Sequence, residues 1–123
     1  MKSIMAVLLN GIAQLEYDRN KQLPEHQALY LDKMDQKMDK GIQLGDALIE
    51  EPDLHQRAQF VAANLAHAIK SHQDAMAASL CSYLANRLPD LKQVKIEEQQ
   101  GGVSIELVFD EEYKKQVHVQ LLH

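Results

Sequence analysis

A chain of 123 residues, 46% apolar and 25% charged, fits one domain and excludes an intrinsically disordered segment. Its net charge of −5 is spread along the chain, with 9 basic and 11 acidic side chains in residues 1–89 and 4 and 7 in residues 90–123. No basic face of the kind that displaces counterions from a duplex is visible, so no nucleic-acid partner is expected.

A single cysteine, Cys81, cannot form an internal disulfide and fits a reducing compartment. The apolar run Ile4 to Leu9 is shorter than the roughly 7–15 residues of a signal h-region and far short of the ~20 of a membrane span. A cytoplasmic location without membrane association is therefore expected. Without tryptophan and with only 2 phenylalanines, the core must be aliphatic.

In chain order, residues 3–19 read as a first helix, because Ile4, Leu8, Ile12 and Leu15 recur at helical spacing. Pro24 suits the first position of a second helix running to about Lys40, with Leu31, Met34 and Met38 on its inner stripe and Gly41 as terminator. The run Asp32–Lys40 reads as a solvated face of alternating charge. Residues 42–51 are ambiguous, with a short helix after Gly45 as one reading. A third helix is predicted over about 53–70 and a fourth from Ser71 or Asp74 to about Arg87. Nine alanines between Ala58 and Ala85 favour a tight antiparallel hairpin of the two around Lys70–Gln73, with one unbroken helix as the competing reading.

After Pro89 the period changes to two. Val94 and Ile96, then Val103, Ile105, Leu107 and Phe109, then Val117, Val119 and Leu121 alternate with polar residues. Turns are expected at Gln99–Gly102 and Asp110–Tyr113. The predicted fold is thus one α+β domain, residues 1–123. Three or four N-terminal helices (about 1–89) pack on a C-terminal three-stranded antiparallel β-meander (about 92–122).

Chemistry-bearing motifs are sparse. Six histidines invite a metal reading, but His67 and His72 are five apart and no H-E-x-x-H or Cys/His cluster occurs; no metal or other cofactor is expected. Cys81 sits in an Ala-rich helix and reads as a small core residue. Paired glutamates flank turns and strand ends, where carboxylates are solvated.

What remains is surface for partners. Leu31, Met34 and Met38 form an adaptable apolar stripe; the nearly uncharged first helix is a second candidate for a partner-facing element, with Tyr17 and Arg19 after it as candidates for polar contacts at a rim. The reading is therefore a non-catalytic cytoplasmic adaptor or regulator that binds a protein partner, homodimeric through free strand edges. A second reading is a small-molecule binder or small enzyme with a pocket between helices and sheet, using Asn64, His67, Cys81 and Tyr83. A third is a histidine-dependent metal protein.

Overall fold

The computed structural model describes residues 4–114. Its first element is not a helix. Residues 4–18 form a β-hairpin of β1 (Ile4–Leu9) and β2 (Ile12–Asp18). The dipeptide Asn10-Gly11 decides this: both residues hold positive φ, 52° and 82°, as a two-residue type I′ turn requires. Leu9 faces Ile12 directly across the turn. The apolar residues of β1 show no period-two pattern because Met5, Ala6, Val7 and Leu8 are all buried, as in a strand covered on both faces. Gln14 is an extra residue in β2, since Val7 faces Leu15 while Leu8 faces Ala13.

Three of the four expected helices are present. Helix α1 (Glu25–Met38) starts after Pro24, which occupies the N-cap position rather than the first turn. The ambiguous segment is a small second hairpin, β3 (Ile42–Leu44) and β4 (Ala47–Ile49), not a short helix. Gly45, at φ 58°, is the first residue of the two-residue loop Gly45-Asp46 that sets Leu44 opposite Ala47, so the residues after it turn back as a strand instead of starting a helix. Helix α2 (Leu54–Lys70) begins with a capping box in which Asp53 and Gln56 bond each other's backbone N–H. The chain turns through residues 71–73 into α3 (Asp74–Arg87), so the α2–α3 region is two helices.

Strands β5 (Gln93–Gln99) and β6 (Gly102–Val108) form the expected C-terminal hairpin. They do not continue as an isolated meander. β1 lies parallel to β5, with Ala6 to Leu9 facing Gln93 to Ile96, giving one four-stranded mixed sheet ordered β2-β1-β5-β6. The predicted order of helices followed by strands is thereby corrected: strands open the chain, three helices follow, and the last hairpin returns to pair with the first. The expected strand around Val117–Leu121 lies outside the described residues.

Met5, Val7, Val94 and Ile96 face the helices and belong to one core with Leu31, Val61, Leu65, Tyr83 and Leu84. Residues 109–114 lie across the other face. Gln93 Nε2 donates to the Glu111 carbonyl at 3.0 Å, Lys95 and Lys92 pair with Glu111 and Glu112 at 3.1 and 3.2 Å, and Tyr113 donates to Glu16.

The hairpin reading makes Gly11 a sensitive position. A Cβ there meets nothing within 4 Å, so Gly11→Ala carries only the left-handed backbone penalty, about 1–2 kcal/mol. Gly102, open and without positive φ, accepts alanine at about 0.5 kcal/mol or less. Urea unfolding of the two variants should separate them by that difference; equal midpoints would remove the I′ turn.

Candidate functional site

Helix α1 presents three different sides. One carries Asp32, Asp35 and Asp39, spaced three and four residues apart and so stacked on one face. Asp35 is the hub. It accepts from the Tyr83 hydroxyl, from Arg87 Nε at 2.9 Å and from Arg57 Nη1 at 3.4 Å. Arg57 Nη1 also donates to the Asp35 carbonyl at 3.2 Å, and the same guanidinium bonds Asp39. Arg87 reaches Asp32 at 2.8 Å and lies 5.7 Å from the Tyr83 ring centre. The acidic positions of the supposedly solvated run are thus bound to arginines of α2 and α3. Burial, followed by the neighbouring Asp35 carboxylate, pushes the Tyr83 phenol well above its ordinary range.

The second side buries Leu31 and Met38 in the core. The third is apolar but incompletely covered. Tyr30, Met34, Lys37 and Met38 of α1, Phe60, Val61 and Asn64 of α2, and Met76 and Leu80 of α3 enclose a groove of 210 Å³. A second hollow of 330 Å³ continues past Tyr30 toward the start of α1, where His26, Gln27, Ser79 and Ser82 surround Leu31 and Ala78. Tyr30 is 49% exposed and Met76 48%, both large apolar surfaces left to water.

The α-helical period places Lys37, which lines the groove, and then Lys33 successively outward from Tyr30, and Lys40 follows in the turn after the helix. Among the described residues these three lysines form no ion pair, in contrast to the aspartates on the far side of the same helix. The groove is therefore apolar inside and locally basic at its edge.

Of the residues singled out by sequence, Met34, Met38 and Asn64 meet in this groove, and Leu31 floors the adjoining hollow. Tyr17 and Arg19 are elsewhere. The Tyr17 hydroxyl accepts from Asn86 Nδ2 at 2.9 Å. Arg19 donates to the carbonyls of Ala85, Leu88 and Leu91, tying β2 to the end of α3. His67 is exposed on α2, whereas Cys81 and Tyr83 are buried, so these three do not converge on the groove with Asn64. Sequence reasoning missed Tyr30, Phe60, Met76 and Leu80. Met76 and Leu80 were visible as one face of α3; Tyr30 falls at i−4 from Met34, which was the available signal.

Among the described residues no group of three His, Cys, Asp or Glu side chains converges to hold a metal, and no helix is long and apolar enough to cross a membrane. Comparison with protein-family models, with curated proteins and with solved structures gives no match.

Two expectations follow from this geometry. Asp35→Asn removes the charge and one of the two oxygens on which three donors converge and should cost about 2 kcal/mol, while Asp39→Asn, at an exposed pair, should cost under about 1 kcal/mol; chemical denaturation distinguishes them.

The second concerns pH. Burial raises the Cys81 thiol from 9.0 to about 12, against the opposing pull of Arg19. Between those values the unfolded chain releases a proton that the folded chain keeps. Stability is therefore full below pH 9.0 and falls as pH rises, by up to about 1.4 kcal/mol per pH unit for this group. In Cys81→Ala the decline should begin nearer pH ~10, where the raised Tyr83 phenol takes over. An unchanged onset in that variant would refute the assignment to the thiol.

Proposed function

We propose that this chain is a non-catalytic interaction protein that docks a segment of a protein partner in the groove between α1, α2 and α3. The occupant is an apolar segment flanked by carboxylates. The observation that carries this reading is the groove itself: Tyr30, Met34, Met38, Phe60, Met76 and Leu80 line one concave strip, with Lys37 at its lip. Methionine has three rotatable side-chain bonds and a polarizable sulfur, which suit a surface that must fit side chains of irregular shape. Tyrosine and phenylalanine supply large contact area with few torsions to immobilise.

Charge selects the flanks. The chain is acidic as a whole, so attraction for an acidic segment must be local and short-ranged. Lys33, Lys37 and Lys40 provide it, because Asp32, Asp35 and Asp39 on the same helix are already engaged by Arg57 and Arg87. An apolar segment flanked by lysines would meet like charge at that rim.

Display of a random peptide library on the full chain tests the reading. Recovered peptides should combine apolar residues at helical or alternating spacing with Asp or Glu. Binding of a recovered peptide should fall about tenfold or more on Tyr30→Glu or Met34→Glu, and several-fold on Lys37→Glu. Peptides without carboxylates, or binding indifferent to the first two substitutions in variants with wild-type circular dichroism, would overturn it.

A further inference from the structure

The outer edge of β6 is the second surface left open by the described residues. Among the described residues no strand pairs with it. Edge strands in monomeric proteins are normally guarded by lysine, proline or a bulge. The opposite edge, β2, has the Gln14 bulge and the charges of Glu16 and Asp18. β6 reads Gly-Val-Ser-Ile-Glu-Leu-Val, with one charge and none of those guards.

The pattern of free backbone groups follows from the hairpin. Gln99 faces Gly102 across the two-residue loop Gln100-Gly101, and residues flanking such a loop bond each other. The alternation of an antiparallel ladder then directs Ser104 and Glu106 back to Glu97 and Lys95 of β5. The N–H and C=O groups of Val103, Ile105 and Leu107 point away from the sheet.

We infer that this edge pairs with the same edge of a second copy of the chain, antiparallel, about a twofold axis through Ile105. In that register Ile105 faces its own counterpart, and Val103 faces Leu107 of the second copy. Every outward N–H and C=O of the three residues then meets an outward partner. Axes through Val103 or Leu107 give the same polarity but a shorter overlap. Axes through Ser104 or Glu106 also oppose outward groups, but each shortens the overlap and the latter sets Glu106 against its own counterpart.

The side chains agree with the same axis. Glu106 lies across from Ser104 of the second copy rather than from another glutamate, so the closest like-charge pair is avoided. On the helix side, Val103, Ile105 and Leu107 form one wall of a 400 Å³ cleft whose other wall is His55 and Gln59 of α2, and Val103 remains 38% exposed. A twofold perpendicular to the sheet keeps both helical layers on one side. The two clefts then face each other across the seam, and the exposed Val103 of each copy gains cover. The pairing does not depend on the reading of the α1 groove and leaves that groove on a different side of α2.

Sedimentation equilibrium of the full chain should show a concentration-dependent monomer–dimer equilibrium. Ser104→Lys places a lysine opposite Glu106 of the second copy and should tighten it. Ser104→Glu places like charges there twice and should weaken it, each by about tenfold. Hydrogen exchange should show the Val103, Ile105 and Leu107 amides protected in the dimer and released in Ser104→Glu at low concentration. A chain monomeric at every concentration would overturn the inference, whether those amides are open to solvent or protected by the chain's own residues. A dimer unmoved by either substitution, or weakened by both, would overturn it as well.

Discussion

The architecture depends on one ladder, the parallel pairing of β1 with β5. It joins residues 6–9 to residues 93–96, and everything between must leave the sheet and return. Closing a loop of that length costs roughly 4 kcal/mol in chain entropy beyond a constant. The ladder offsets this because it places Met5, Val7, Val94 and Ile96 side by side under the helices, each fully or almost fully buried. At roughly 2 kcal/mol per buried aliphatic side chain, those four outweigh the closure cost. The alanines of α2 and α3 matter for the same reason: Ala58, Ala62, Ala66, Ala68, Ala77 and Ala85 are buried and let the helical hairpin lie close to the sheet and to itself.

Polar side chains then fix how the layers sit. Asn10 occupies the I′ turn and also reaches across the end of the sheet. Its amide donates to the Glu98 carboxylate and accepts the Glu98 N–H, both at 2.9 Å, while its own N–H bonds Ile96. Arg19 does the equivalent at the opposite end. The last carbonyls of a helix have no intrahelical donor, and Arg19 supplies one for Ala85 and others for Leu88 and Leu91 beyond it. Two residues at the two ends of one hairpin therefore lock β1–β2 onto β5 and α3. Partial burial makes the Arg19 bonds specific, since an alternative packing would strand the guanidinium or the carbonyls without partners.

The amphipathic elements were readable where a single period held. The helical spans near 24–40, 53–70 and 74–87, and the hairpin around Gln99–Gly102, follow from periodicity with Pro and Gly punctuation. The first 19 residues misled because a strand buried on both faces has no alternation to display, and Ile4, Leu8, Ile12 and Leu15 happen to satisfy a helical spacing. Asn10-Gly11 was the corrective signal: two adjacent residues tolerant of positive φ between two apolar runs outweigh four coincident aliphatic positions. Reading that dipeptide as a turn would also have brought a second hairpin to the sheet and ended the search for a purely C-terminal meander. For the candidate site, Met34 and Met38 were legible as a stripe. The incomplete cover of Met34 was not, since the α1 pattern alone does not reveal which neighbours lie over it.

Why the groove stays open has a physical account in the charges of α1. A helix seated by apolar contacts alone settles where its largest side chains are covered. Here the aspartate row is drawn to Arg57 and Arg87, and Asp35 is further tied to a buried tyrosine hydroxyl. Such partly buried ion pairs contribute modestly to stability but are demanding in geometry. They set the roll of α1 about its own axis, turning Leu31 and Met38 inward and leaving Tyr30 and Met34 at the lip. The side opposite the aspartates consequently faces α3 across a gap that Met76 and Leu80 do not fill. The same interactions engage the aspartate row and leave the neighbouring lysines without an ion pair among the described residues. One set of contacts thus produces both the apolar strip and the basic rim on which the proposed recognition depends.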